Sequence, residues 1–107
     1  MMHLDTMARE RVRGFLHADG RRIVNERGEE VLLVGVGLGN WLLWEGYMWR
    51  LYGKYDRPRT IEGLISELCG AEYAASFARR FRENYITRAD IAAIAAEGFN
   101  SVRVPLN

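Results

Sequence analysis

The chain has 107 residues, 49% hydrophobic and 27% charged, a composition typical of globular proteins and too apolar for a disordered one. Fifteen basic and fourteen acidic residues leave a formal charge of +1, which argues against a nucleic-acid partner. The single cysteine, Cys69, cannot form an internal disulfide, and His3 and His17 have no neighbouring ligands at metal-site spacing. We therefore expect no metal and no cofactor.

The first residues of the chain, MMHLDTMARERVRG, have no apolar segment of the kind found in signal peptides. No apolar run is long enough for a membrane span, so we expect no membrane partner and, by default, a cytoplasmic location. Residues 1–12 are polar and unpatterned, and they predict a flexible arm ahead of a folded part at residues 13–107.

Short strands are predicted next. Glycine turn signals on either side of the second strand separate strands at about Phe15–His17, Arg22–Val24 and Val31–Val36, which would form a small β-meander. The third strand lies within VLLVGVG, which is apolar without alternation. Such a run is typical of a strand buried on both faces, as in parallel sheets covered by helices.

A glycine-rich and aromatic stretch, GVGLGNWLLWEGYMW, begins at Gly35 and leads into a long irregular segment, Trp41–Arg59. Flat aromatic faces beside acid and amide groups suit sugars, whose C–H faces stack on rings while polar groups bind the hydroxyls. Glu45 is the acid in this stretch. In the alternative interpretation the glycines allow close packing, the tryptophans fill a core, and Glu45 is an ordinary surface residue.

A nucleotide-binding loop is the other interpretation of the glycines. The dinucleotide fingerprint requires G-x-G-x-x-G with its third glycine at the start of a helix. Asn40 occupies that third position and bulky residues follow it, and no lysine stands where a phosphate-binding loop needs one. The pattern therefore does not favour nucleotide binding.

Three helices are predicted after the irregular segment. The first covers Ile61–Leu68, with Thr60 as its cap and Gly70 at its end, and the second covers residues 71–85 with an apolar stripe at helical spacing. Thr87-x-x-Asp90 resembles a capping box at the start of the third helix. Its buried side would consist of Ile91, Ala92, Ile94 and Ala95, and Gly98 would end it.

The last segment, FNSVRVPLN, predicts a second buried strand. A strand–helix–strand crossover implies a parallel sheet and an α/β fold, and since two strands cannot close such a sheet, we expect a piece of a larger domain. Arg103 lies on the strand face opposite Val102 and Val104. If buried, its guanidinium needs a carboxylate partner, either Glu45 or an acid outside this chain; alternatively it reaches solvent.

Together, GVGLGNWLLWEGY and ITRADIAAIAAEGFNSVRVPLN resemble the opening of glycoside hydrolase family 5, the cellulase and β-glucanase family, and most of all its exo-β-1,3-glucanase-like branch. The resemblance covers residues 14–107. Two positions depart from the pattern, since the family often has asparagine at the position of Gly37 and a second glycine at that of Asn40. The matching positions are Tyr85, Ile86, Thr87 and Asp90 at the helix start, and Gly98, Asn100, Val102, Arg103 and Pro105 in the second-strand motif.

The resemblance implies an α/β fold, the amino-terminal portion of a (β/α)8 TIM barrel with its first two barrel strands, preceded by the small β-meander or hairpin. It implies a retaining glycosidase acting on O-glycosidic bonds of β-linked glucans or oligosaccharides, with two catalytic glutamates on the fourth and seventh strands. We therefore expect no catalytic glutamate in these residues, with the remainder of the barrel missing, and an isolated chain that is inactive.

The resemblance also implies roles for single residues. Glu45 and Tyr47 correspond to sugar contacts, and Arg103 to the arginine that holds the nucleophilic carboxylate ionised. With Asn40 and Trp44 from the aromatic stretch, these are the predicted substrate-binding residues. Two alternatives stay open: a non-catalytic carbohydrate-binding piece that uses the aromatic loop, and a purely structural barrel fragment.

Overall fold

The computed structural model describes residues 2–106, and the side chains of residues 6–106. Met1 of the predicted arm and Asn107 of the predicted barrel portion lie outside the described residues. The chain divides into two compact units. The first contains the residues up to Val36 together with Ala93–Val102, and the second contains Gly37–Ala92 together with the residues from Arg103 onward.

The first unit opens with helix α1, Met2–Glu10, where the sequence predicted a flexible arm. The end of this helix is held by distant groups. The Leu32 amide donates to the Ala8 carbonyl at 3.2 Å, and the Asn100 side-chain amide donates to the Arg9 carbonyl at 2.7 Å. Because carbonyls in the last turn of a helix lack partners within it, such long-range donors favour a helix that local sequence does not reveal.

An antiparallel hairpin follows, formed by β1, His17–Asp19, and β2, Arg22–Val24. The strands pair from His17–Val24 to Asp19–Arg22 around a two-residue turn in which Gly20 has a φ of 60°, a conformation that favours glycine. The second predicted strand is thus confirmed, and the first lies two residues later than expected. The predicted third strand, Val31–Val36, does not join the hairpin: an isolated bridge between Val24 and Glu30 precedes it, and its end belongs to a strand of another sheet, Gly35–Gly37.

Strands β3, Gly35–Gly37, and β4, Ser101–Arg103, form a second two-stranded sheet. Contacts run in the same order along both strands, from Gly35 against Ser101 to Gly37 against Arg103, so the strands are parallel. The expected burial on both faces is wrong for this chain. Leu33 and Val102, which flank and form the sheet, are 46% and 41% exposed, because a pair of short strands covers neither of its own faces.

Two helices of the second unit lie close to their predicted positions. Helix α2 covers Pro58–Cys69 and ends at Gly70, and helix α3 covers Ala71–Tyr85. The cap position of α2 is occupied by Arg57, three residues before Thr60, which the sequence predicted as the cap. Thr60 instead occupies the third helical position, where its hydroxyl accepts the Arg57 amide at 3.3 Å and donates to the Arg57 carbonyl at 2.9 Å.

The core of the second unit forms where the irregular segment meets α2 and α3. Trp44, Ile61 and Ala78 are buried, at 2%, 0% and 8% exposure. The apolar stripe predicted for α3 supplies one wall of this core, which confirms its assignment in part, although Tyr73 at one end of the stripe is 57% exposed. Partly buried residues surround the core: Trp49, Leu51, Ile65, Phe77 and Phe81.

Helix α4, Arg88–Ala96, begins with the predicted capping box. The Thr87 amide donates to Asp90 Oδ2 at 2.7 Å, and the Asp90 amide donates to the Thr87 hydroxyl at 3.3 Å. The predicted buried side is wrong for this chain: no residue of α4 is buried, and Ile91 is 39% exposed. No described helix combines the length and the apolar character needed to cross a membrane.

We expect the capping box of α4 to lose strength in acid. Hydrogen bonds from the Thr87 amide and hydroxyl hold the pKa of Asp90 below its ordinary value. Because the folded-state pKa is lowered, the stability contributed by the carboxylate is fully present above the ordinary pKa and is lost as pH falls through the lowered one. Thermal melts of the chain and of Asp90→Asn, followed by circular dichroism between about pH 6 and pH 2, should converge at the acidic end. A constant difference across this range would contradict the expectation.

Candidate functional site

The glycines of the aromatic stretch leave room for two charged side chains of the second unit. A Cβ placed on Gly37 would lie 3.3 Å from Arg103 Nη2. A Cβ placed on Gly39 would lie 3.2 Å from Glu45 Oε2. Both distances are shorter than ordinary van der Waals contact, so the missing side chains let the guanidinium and the carboxylate lie directly against the backbone.

Asn40 is part of the framework of this site. Its side chain is 4% exposed, and its Oδ1 accepts a hydrogen bond from the Glu45 amide at 3.0 Å. Its φ of 61° lies in the left-handed region, which glycine adopts most easily and asparagine tolerates better than most residues. Its side chain faces the inside of the loop, and the contact of Asn40 with substrate stays a prediction.

Glu45 and Tyr47 form the exposed part of the site. Glu45 is half-buried and stands immediately before a short 3₁₀ helix, Gly46–Trp49. The Tyr47 side chain is 67% exposed, and its hydroxyl donates a hydrogen bond to Glu45 Oε2 at 3.5 Å. A carboxylate that accepts hydrogen bonds beside a solvent-facing aromatic ring is the combination expected at a sugar-binding surface.

The 3₁₀ helix is held in place by close backbone contact at Gly46. The Gly46 amide donates to the Asp56 carbonyl at 3.3 Å, and the Leu51 amide donates to the Gly46 carbonyl at 2.9 Å. A Cβ on Gly46 would meet the Tyr55 carbonyl oxygen and would lie 2.7 Å from Asp56 Cα. Only glycine fits at this crossing, and the loop that carries Glu45 and Tyr47 therefore closes on itself.

Trp44 is a core residue in this structure, and its assignment as a sugar contact stays a prediction. It is 2% exposed, and its ring centroid lies 5.1 Å from that of Trp49 and 5.4 Å from that of Phe81. A ring surrounded by other rings has no free face for a sugar. Trp41 is likewise engaged, since its Nε1–H donates to the Arg82 carbonyl at 2.7 Å.

Arg103 lies on β4 with an exposed side chain. Its backbone carbonyl accepts a hydrogen bond from Leu38 at 2.9 Å, which ties the end of β4 to the glycine stretch. Among the ion pairs found in the described part of the chain, none involves Arg103, so the predicted pairing with Glu45 is not formed. Of the alternatives left by the sequence, a solvent-facing arginine and a carboxylate outside this chain stay open.

The sequence did not reveal which side chains lie against Gly39. One is the Glu45 carboxylate, and the other is Met48, whose sulfur would lie 3.6 Å from a Cβ on Gly39 and which is 42% exposed. The alternation of glycine at positions 37 and 39 is the signal that could have indicated two side chains lying across the backbone. Met48 gives no such signal, since its position depends on the 3₁₀ helix.

Two of the cavities in the described part of the chain, of about 270 Å³ in the first unit and about 550 Å³ between α2 and α3 in the second, are lined by none of the predicted substrate-binding residues. Within residues 2–106, no group of three or more His, Cys, Asp or Glu side chains comes together in a way that could hold a metal ion.

Comparison with known proteins gives three relatives. The chain is 32% identical over 93 residues to a β-xylosidase from Phanerodontia chrysosporium, which covers 87% of this chain and 19% of that protein. It is 32% identical over 76 residues to glucan 1,3-β-glucosidase 1 of Schizosaccharomyces pombe, covering 67% of this chain and 19% of the relative. It is 34% identical over 73 residues to the probable glucan 1,3-β-glucosidase A of Emericella nidulans, covering 67% of this chain and 18% of that relative.

The chain is thus similar to glycoside hydrolases, and it spans about a fifth of the length of the curated relatives it matches. No family model matches the chain. No solved structure matches it.

Proposed function

We propose that this chain is part of a retaining β-glycoside hydrolase of the family 5 type that acts on O-glycosidic bonds of β-linked glucans or oligosaccharides, and that Glu45 and Tyr47 contact the sugar. The observation that carries the proposal is the Glu45–Tyr47 pair, a carboxylate 3.5 Å from the hydroxyl of a tyrosine that is 67% exposed. The similarity to proteins named β-xylosidase and glucan 1,3-β-glucosidase supports the same class of substrate.

The proposed fold is the amino-terminal portion of a (β/α)8 barrel. Its support is the parallel pairing of β3 with β4, which are separated in the chain by helices α2, α3 and α4. In such a barrel the functional residues stand at the carboxyl ends of the strands. Arg103 is the last residue of β4, and Glu45 follows β3 in the chain.

The proposed chemistry requires carboxylates beyond the Glu45–Tyr47 pair. Retaining hydrolysis uses two carboxyl groups about 5–5.5 Å apart, one as the nucleophile and one as the acid and base. Arg103 would stabilise the ionised nucleophile, since a fixed positive charge favours the charged form of a nearby carboxyl. In this proposal both catalytic carboxylates belong to strands outside this chain, and the chain contributes sugar contacts and the supporting arginine.

A non-catalytic carbohydrate-binding role is the second candidate, and the exposure of the loop aromatics favours it. Tyr52 is 76% exposed in addition to Tyr47, so the loop presents two tyrosine side chains to solvent. This role shares its sugar contacts with the first proposal and differs from it in requiring no turnover by any longer form of the protein.

The isolated chain is expected to bind a β-1,3-linked glucotriose and to show no hydrolysis of an aryl β-glucoside. Tyr47→Ala should weaken binding by up to about tenfold, the equivalent of one aromatic contact, and Glu45→Gln should weaken it because the amide replaces a charged acceptor. Isothermal titration calorimetry measures both.

Tyr73→Ala is the matched control, because Tyr73 is also an exposed tyrosine of the second unit, at 57%, and lies on α3. It should bind as the unchanged chain does. Equal losses in Tyr47→Ala and Tyr73→Ala, or no binding by the unchanged chain, would contradict the proposed sugar site. Turnover of the aryl β-glucoside would contradict the placement of the catalytic carboxylates outside this chain.

A further inference from the structure

We propose that Asn40 and Gly39 are positioning residues for Glu45, with Asn40 fixing the backbone of Glu45 and Gly39 leaving the space in which its carboxylate lies. The inference rests on the proposed function in one respect, namely that Glu45 is a sugar contact. Neither residue touches the sugar in this proposal. Each acts through Glu45.

Asn40 holds one side of the Glu45 backbone. Its buried Oδ1 accepts the Glu45 amide at 3.0 Å. On the other side, the Glu45 carbonyl accepts the Met48 amide at 3.0 Å. With both backbone polar groups engaged and an extended conformation of φ −123° and ψ 120°, the backbone of Glu45 is held, and with it the direction of its Cα–Cβ bond.

The left-handed conformation of Asn40 shows what the asparagine contributes. Glycine would adopt a φ of 61° with less strain, but it has no side-chain acceptor for the Glu45 amide. Asparagine provides both a tolerated left-handed backbone and the acceptor. A left-handed residue other than glycine is kept at a conformational cost, and the hydrogen bond to Glu45 offsets that cost.

Gly39 controls the side chain of Glu45. Its φ lies outside the left-handed region, so an alanine would fit its backbone, and the added Cβ would meet only side-chain atoms, at 3.2 Å from Glu45 Oε2 and 3.6 Å from Met48 Sδ. A Cβ at 3.2 Å is too close for an ordinary contact with oxygen. Alanine at position 39 would therefore move the carboxylate, and the backbone would stay in place.

The first test compares Asn40→Gly with Arg50→Gly. Arg50 is the second non-glycine residue with a positive φ among those described, at 57°, it lies in the same loop, and its side chain is exposed. Both variants relieve the same backbone strain, and only Asn40→Gly removes the acceptor of the Glu45 amide. Hydrogen exchange of the Glu45 amide, measured by NMR, should become about tenfold faster or more in Asn40→Gly, as for the loss of one hydrogen bond, and should stay unchanged in Arg50→Gly.

The second test measures binding of the β-1,3-linked glucotriose. Asn40→Gly and Gly39→Ala should each weaken it by about three- to tenfold, Gly39→Ala should keep the slow Glu45 amide exchange, and Arg50→Gly should bind normally. Normal binding by Asn40→Gly, or unchanged Glu45 amide exchange in that variant, would overturn the positioning role while the proposed function stands. Absence of binding by the unchanged chain would overturn the proposed function, and the sugar role of Glu45 with it.

Discussion

Asn100→Asp is expected to lower the free energy of unfolding of the chain by about 1–3 kcal/mol, the cost of losing two donated hydrogen bonds at a part-buried position. The Asn100 Nδ2 group donates to the Arg9 carbonyl at 2.7 Å and to the Leu32 carbonyl at 2.8 Å, and its Oδ1 accepts the Val34 amide at 2.8 Å. A carboxylate of the same shape keeps the accepted bond and places oxygen against the two carbonyl oxygens. Urea denaturation followed by circular dichroism measures the change.

Acid provides an internal check on this prediction. Protonation of the new carboxyl group returns one donor to position 100, so part of the lost stability should be recovered at low pH.

Asn84→Asp is the matched control. Asn84 donates a single bond, to the Arg80 carbonyl at 2.7 Å on the exposed side of helix α3, and its loss should cost about 0.5–1.5 kcal/mol. Equal destabilisation by the two variants would contradict the role of Asn100 in joining α1, residues 32–34 and β4 through its hydrogen bonds.

The hydrogen bonds of Asn100 also show which parts of the first unit could be predicted from sequence. Asn100 was recognised as a motif position, but a motif does not say which carbonyls its side chain reaches, and one of them lies 91 positions away in the chain. That hydrogen bond reaches the end of helix α1, which local sequence did not predict for the same reason. Leu33 and Val102 were expected to be buried because their apolar pattern is that of a covered strand, and the pattern cannot say which elements provide the cover.

Local patterns were sufficient where the physical cause is local. Helix α3 was predicted at Ala71–Tyr85 because its apolar stripe repeats within a single helix. The start of α4 was predicted because Thr87 and Asp90 bond to each other three residues apart. The β-meander was predicted only in part, since the length of a strand depends on its partner.

The aromatic loop shows the same limit in the candidate site. The sequence left open whether the aromatic residues of the loop bind sugar or fill a core, and the structure divides them, with Trp44 inside and Tyr47 outside. The division depends on the 3₁₀ helix at Gly46–Trp49, whose crossing with Tyr55 and Asp56 requires glycine at position 46. Sequence pattern alone could not assign Trp44 and Tyr47 to different environments.

Trp44→Ala is expected to destabilise the second unit by about 3–5 kcal/mol, the usual cost of deleting a large buried aromatic side chain. Trp44 is 2% exposed and contacts the rings of Trp49, Phe77 and Phe81, with centroids 5.1, 6.2 and 5.4 Å away. Trp44→Phe should cost much less. Among the described residues its Nε1–H has no hydrogen-bond partner, so phenylalanine removes a buried unpaired donor while it keeps much of the ring contact.

Tyr47→Ala separates the core from the sugar surface. As a solvent-facing side chain, Tyr47 should change the free energy of unfolding by no more than about 0.5 kcal/mol, while its loss weakens binding of the glucotriose. Trp44→Ala should lose binding only to the extent that it unfolds, which urea denaturation and calorimetry on the same samples can establish. If Trp44→Ala instead kept its stability and lost binding, Trp44 would be a sugar contact as the sequence predicted, and the loop would have to open when it binds sugar.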